Sequence, residues 1–164
     1  MKTIVVVYSR SKNNLLLAQE IQVRLQCNLH VITEVKPRSG FSVLLEPLLP
    51  TKTELVKADI SLTPYEQVIF VAPVWWKKVA SPMRVFMEQH KEEVKRYGFI
   101  TMCNGVVGQR EMLEAELTTL LGREPVAVTE LWVGSLVFRA IRQDMALFTE
   151  EISAFLEAME TEQT

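Results

Sequence analysis

Residues Ile4–Val5–Val6–Val7 form an unbroken β-branched run near the start of the chain, and together with the polar turn behind it this run narrows the folds open to the protein. Four apolar residues in a row lack both the alternation of a half-exposed strand and the length of a helix. They suit a strand covered on both faces, as in a parallel sheet. Six small or polar residues come next, Ser9, Arg10, Ser11, Lys12, Asn13 and Asn14, and then Leu17, Ala18, Ile21 and Leu25 at helical spacing. A strand, a polar turn and a helix start in that order present free backbone N–H groups and a partial positive charge at the turn. Two readings of the turn stay open. Ser11, Asn13 or Asn14 caps the helix while Arg10 and Lys12 are solvated, or the turn cradles an anion such as a phosphate, with Ser9, Ser11, Asn13 and Asn14 as donors and Arg10 or Lys12 as charge.

The same alternation runs on through the chain. After a helix over residues 13–26, residues 29–32 read as a second strand, 68–71 as a third, 97–103 as a fourth and 125–133 as a fifth. Ser81–Pro82 opens a helix with proline at a favourable first position, its stripe of Met83, Phe86 and Met87 reading as core. Leu113, Leu117, Leu120 and Leu121 mark another helix, stopped by Gly122. Ile141, Met145, Phe148, Ile152, Phe155 and Met159 predict a long amphipathic last helix. Residues 36–63 are the least regular part: Phe41, Leu44, Leu45 and Leu48 have helical spacing, but Pro47 and Pro50 predict a short, interrupted helix that packs on the sheet and then a loop.

Five strands with intervening helices predict an α/β three-layer sandwich: a five-stranded parallel sheet of order 2-1-3-4-5 with helices on both faces. The 164 residues suit one domain, 1–164. In that order the connection direction reverses between strands one and three, whose carboxyl ends leave a crevice. The polar loop at Ser9 faces there the turn Pro73–Val74–Trp75–Trp76–Lys77–Lys78, whose adjacent tryptophans read either as a flat surface for a ligand or as core or partner-surface aromatics. The fourth strand ends nearby at Cys103, followed by Asn104 and Gly105.

Composition removes several function classes. With 18 basic against 20 acidic residues and no long run of like charge, neither nucleic acid nor a membrane surface is an expected partner. Cys27 and Cys103, with no CxxC and no Cys/His cluster, read as reduced thiols in a cytoplasmic protein and not as metal ligands. The amino terminus reads as neither a signal peptide nor a membrane span. His30 and His90, far apart in sequence, read as surface or core-edge histidines. Ser9 or Cys103 as a hydrolytic nucleophile lacks a histidine partner in sequence context. A receiver-type phosphorylation site would need acidic residues where the first strand ends in Tyr8–Ser9.

The three loops also carry a family resemblance over nearly the whole chain. Val7–Tyr8–Ser9–Arg10–Ser11 resembles the phosphate loop of short-chain flavodoxins and flavodoxin-domain FMN reductases, with Lys12 and Asn14 standing where that family usually has glycine and threonine. Ala72–Pro73–Val74–Trp75 followed by Ser81–Pro82–Met83–Arg84–Val85–Phe86 is similar to the second flavin loop and its helix. Met102–Cys103–Asn104–Gly105 resembles the third loop, which lies against the isoalloxazine ring. The resemblance implies a noncovalently held FMN and electron transfer or flavin-dependent reduction, with a redox partner protein or a nicotinamide donor. It implies a cofactor site of Ser9, Arg10, Ser11, Lys12, Asn13 and Asn14 at the phosphate, with Pro73, Val74, Trp75, Trp76, Cys103, Asn104 and Gly105 around the ring. Because the cofactor supplies the chemistry, no protein acid–base pair is required. The alternative is a flavodoxin-like module that binds no flavin and acts through protein contacts, with the tryptophans as an exposed anchor.

Overall fold

A computed structural model of the chain describes residues 1–36, 53–57, 60–103, 108–133 and 145–161. The expected Ile4–Val7 run lies within strand β1, Thr3–Val7, every residue of which is buried. It is followed by helix α1 (Asn13–Leu25), β2 (Asn28–Val31), β3 (Gln67–Val71), a hairpin of β4 (Val74–Trp75) and β5 (Lys78–Val79), and helix α2 (Ser81–Gln89). Then come β6 (Tyr97–Cys103), helix α3 (Arg110–Leu121), β7 (Val128–Trp132) and helix α4 (Thr149–Glu160). The large sheet has the order β2-β1-β3-β6-β7, with all four strand pairs parallel. Leaving the hairpin aside, this is the 2-1-3-4-5 order expected from the sequence.

Alternation along the strands divides the core into two layers. Ile4, Val6, Phe70 and Phe99 face one way, against Met83, Phe86 and Met87 of α2 and Leu113, Leu117 and Leu121 of α3. Val5, Val7, Ile69 and Ile100 face the other way, against Leu17 and Ile21 of α1 and Ile152, Phe155 and Met159 of α4. A strand apolar on both faces therefore reflects burial on both, each large side chain contributing about 1.5–3 kcal/mol. At Gly98 the sheet leaves no room for a side chain under α4: a Cβ there would run into Met159 and lie 2.9 Å from Phe155 Cζ.

Several elements end elsewhere than the sequence predicts. The fifth strand is regular only from Val128. Pro125 has no N–H to offer a ladder, and the segment joins the sheet through Val126 N–H donating to the Tyr97 carbonyl at 2.8 Å. The last helix is shorter than its apolar period: Met145–Phe148 is a 3₁₀ turn and the α-helix begins at Thr149, because Phe148 takes a non-helical φ of −117°. Ile141 lies outside the described residues, as do Phe41, Leu44, Leu45, Pro47, Leu48 and Pro50 of the expected interrupted helix. Gly122 does stop α3, at φ 69° with its N–H donating to the Thr118 carbonyl. His30 and His90, far apart in sequence, both pack against Phe86, with ring centroids 5.6 Å and 4.4 Å from that of Phe86.

Candidate functional site

The carboxyl ends of β1 and β3 are neighbours in register, Val7 opposite Val71. The chain leaves β1 through Tyr8, whose N–H donates to the Val71 carbonyl at 3.0 Å, so the polar loop starts fixed to the strand beneath it. Helix α1 begins at Asn13 with Lys12 as its N-cap residue, and Lys12 sits at φ 70°, ψ −11°, in the left-handed region. The first helical bond is Leu16 N–H to the Lys12 carbonyl, 3.0 Å. The N–H groups of Asn13, Asn14 and Leu15 therefore stand ahead of the helix with no carbonyl of their own helix to meet. Among the described residues no side chain caps them, and the first turn holds no acidic residue, so the cap reading of this turn is not what the structure adopts.

Two side-chain atoms of the loop, Ser9 Oγ and Asn13 Nδ2, are buried without a hydrogen-bond partner among the described residues. A buried donor left unpaired costs about 1–3 kcal/mol, and two of them in one five-residue stretch with unpaired helix N–H groups describe a place suited to an acceptor-rich anion. Arg10, Ser11 and Lys12 are exposed beside them. Asn14 behaves differently. Its Oδ1 accepts from Met102 N–H at 2.9 Å and its Nδ2 reaches the Met102 carbonyl at 3.5 Å, so the side chain ties the start of α1 to β6.

Across the crevice, the tryptophan segment is a β-hairpin where the sequence predicts a plain turn. Val74 and Trp75 pair antiparallel with Val79 and Lys78. The two tip residues, Trp76 and Lys77, have φ 51° and 66°. Two positive φ angles are what a two-residue type I′ connection demands, and asparagine or glycine is the usual occupant. Neither residue here carries that signal, which is why the hairpin is hidden in the sequence. Two anchors hold it: Ala80 N–H donates to the Pro73 carbonyl at 3.0 Å, and Val79 N–H donates to Glu116 Oε2 of α3 at 2.8 Å. Burial pushes the Glu116 carboxyl above the usual range, opposed by the Val79 N–H bond.

Trp75 is half-buried and meets the edge of Tyr8, with centroids 5.9 Å apart and rings at 84°. Tyr8 in turn donates its hydroxyl to the buried Glu34 carboxylate at 2.7 Å. The polar loop after β1 and the aromatic hairpin are thus joined through Tyr8. Sequence reasoning missed Glu34 because it lies in the irregular segment after β2, with no motif around it. Trp76 stands 59% exposed at the hairpin tip. The third loop contributes Cys103, half-buried, its thiol pushed up to about 11 by burial and then by Glu130. It is protonated at neutral pH and poorly suited to nucleophilic work. Asn104 and Gly105 lie outside the described residues.

The fold matches structures already solved. A flavoprotein from Lactobacillus acidophilus, in complex with FMN, has a TM-score of 0.65 at 16% identity, covering 79% of this chain and 92% of that one. The fold is flavodoxin-like. A Bacteroides eggerthii protein taken to be a flavoprotein gives 0.66 at 16% identity, over 93% of this chain and 98% of that one. A WrbA-like flavodoxin from Agrobacterium tumefaciens gives 0.52 at 17% identity, over 80% and 75%. No family model matches the sequence, and no curated protein matches it. In the flavodoxin-like frame, the loops after β1, β3 and β6, picked out by their residues, leave the sheet at one end. Among the described residues no group of three or more metal-ligating side chains occurs, and no helix is long and apolar enough to cross a membrane.

Proposed function

We propose that this chain binds FMN noncovalently and works as an electron-transfer or flavin-dependent reducing protein. The observation that carries the reading is the loop from Ser9 to Asn14, with two buried side-chain atoms and the first N–H groups of α1 unpaired, opposite an aromatic hairpin. Ser9 Oγ and Asn13 Nδ2 would donate to the phosphate, the backbone of Asn13 and Asn14 would add helix N–H groups, and Ser11, Arg10 and Lys12 would supply a hydroxyl and charge. Pro73, Val74, Trp75 and Trp76 would form one wall of the ring site, and Cys103, Asn104 and Gly105 the other. When bound, the flavin supplies one- and two-electron chemistry, and the walls exclude water and tune its potential. The Lactobacillus acidophilus structure of this fold, solved with FMN, supports the reading. Electrons would come from a redox partner protein or a nicotinamide donor.

The test is a titration of flavin-free protein with FMN, read by flavin fluorescence and the visible band. Saturable quenching at micromolar protein is expected. A flat titration would sink the flavin reading. It would favour a flavodoxin-like module that works through protein contacts, for which exposed Trp76 and Trp132, 59% and 57% accessible, are the specific support.

A further inference from the structure

A cavity of about 590 Å³ is lined by the end of β2 and the residues after it, by part of the segment that precedes β3, and by the carboxyl end of α2. It shares no residue with the loops after β1, β3 and β6. Ile32 and Phe86 are buried at its floor, Leu55 and Ile60 are half-buried beside them, and Lys57 and Gln89 are exposed at its rim. Two imidazoles complete the lining. The His30 ring stacks on Phe86, with planes 28° apart, and the His90 ring packs on the same phenyl at 4.4 Å between centroids. His90 Nδ1 pairs with Glu93 Oε1 at 2.8 Å, which leaves Nε2 as the nitrogen a ligand can use. Among the described residues the side chains of His30, Lys57 and Gln89 make no hydrogen bond or ion pair, and no carboxylate lines the cavity.

Structural work does not account for this set of polar groups. An ammonium, an amide and two imidazoles converge on one apolar floor with no acid on the cavity wall to balance them, which is the arrangement of a ligand site: a mostly apolar concavity with a few polar groups that fix orientation. The volume lies within the range of about 300–1,000 Å³ typical of such sites. Two imidazoles with no thiolate or carboxylate beside them fall short of the ligand set that zinc takes. Donors and a cation select a negative end on the ligand. The apolar floor selects an uncharged body, and the faces of the imidazole and phenyl rings favour a flat aromatic one. A bare inorganic anion would use the rim and leave the floor unused. We propose that this cavity is a binding site for a small aromatic carboxylate, its ring on the floor of Ile32, Leu55 and Ile60 and its carboxylate held by His30, Lys57 and Gln89. The site is separate from the flavin crevice and does not depend on the flavin reading.

The test is calorimetric titration of the full chain with 2-naphthoate, with the uncharged naphthalene-2-carboxamide and with inorganic phosphate, in the parent and in His30→Gln and Lys57→Gln. Saturable naphthoate binding is expected, with the carboxamide weaker by about tenfold or more, the worth of a hydrogen bond to a charged group. His30→Gln should weaken naphthoate by about tenfold and Lys57→Gln, which removes one exposed cation, by about threefold. Lys57 is at the rim, so its variant decides the matter should His30→Gln fail to fold. Saturating FMN should leave naphthoate affinity unchanged; displacement by FMN would put the naphthoate in the flavin crevice and overturn the proposal. Absence of naphthoate binding, equal affinity for acid and amide, or binding indifferent to both substitutions would also overturn it. Phosphate that matches naphthoate in affinity would show a site that reads charge alone, and would overturn the aromatic part. Should no flavin bind, the flavin reading fails and this site is judged by the two variants and the acid-to-amide ratio alone.

Discussion

Lys12→Gly tests whether the polar loop after β1 stores backbone strain. Lys12 is the N-cap residue of α1 at φ 70°, where a Cβ crowds the following carbonyl and a non-glycine residue pays about 1–2 kcal/mol. Glycine removes that crowding but adds about 0.4–1 kcal/mol of unfolded-chain entropy. The net expectation is a gain of about 0.5–1 kcal/mol, or about 1–4 °C in melting temperature for a chain of this size. Lys12→Ala is the control. It removes the same cation and keeps the Cβ, so its stability should lie within about 0.5 kcal/mol of the parent, as for an ordinary surface change. Urea unfolding of the flavin-free proteins measures both. If glycine and alanine variants unfold at the same midpoint, the strain is not there. The functional side is separable: both variants should weaken FMN by the worth of one exposed cation, about 0.2–1 kcal/mol, and leave riboflavin unaffected.

Asn14→Ala should cost about 1–3 kcal/mol, because it leaves the buried Met102 N–H without its 2.9 Å acceptor; a urea midpoint within error of the parent would remove Asn14 from its role of tying α1 to β6. Gly98→Ala should destabilise by about 1–3 kcal/mol through overpacking against Met159 and Phe155, and a thermal midpoint equal to the parent would show that α4 yields there freely. Glu93 gives a pH signature. Its carboxylate accepts from Ser61 Oγ at 2.7 Å, and also from the His90 ring and from the Leu62 and Thr63 N–H groups. The Ser61 bond first, then these others, hold its pKa down to about 2 from 4.5. A folded pKa below the unfolded one gives stability that is present above about pH 4.5 and lost as pH falls toward 2. The gap in urea midpoint between the parent and Glu93→Gln should therefore narrow across that window; a gap constant from pH 6 to pH 2.5 would contradict it.

Burial accounts for most of what was legible in the sequence. Short unbroken apolar runs announce strands covered on both faces, and Ile4–Val7 and Val68–Val71 appear within β1 and β3, while the expected fourth strand, Tyr97–Cys103, is β6. Pro82 and Gly122 mark a helix start and a helix end because each has one conformational speciality, a fixed φ or a tolerated positive one. The features that stayed hidden depended on tertiary context. The hairpin at Trp76–Lys77 takes left-handed angles on residues that do not advertise them. Glu34 is buried and accepts a hydrogen bond from Tyr8, distant in sequence. Asn14 looks like a loop donor until Met102, 88 residues on, engages it. The polar loop after β1 lies between these cases: its donors were evident from their residue types, but which of them are unpaired depends on the packing around Ser9 and Asn13.

The most direct test of FMN binding at this loop is the ratio of FMN to riboflavin affinity, in the parent and in a Ser9→Ala, Asn13→Ala double variant. The two ligands share the ring and differ in the phosphate, so the ratio isolates what the loop contributes. Charge-assisted hydrogen bonds of about 1.5–3 kcal/mol each imply FMN tighter by about 100-fold or more. That preference should fall at least tenfold in the double variant while riboflavin affinity holds. Equal affinity for FMN and riboflavin in the parent would contradict a phosphate seat between Ser9 and Asn14.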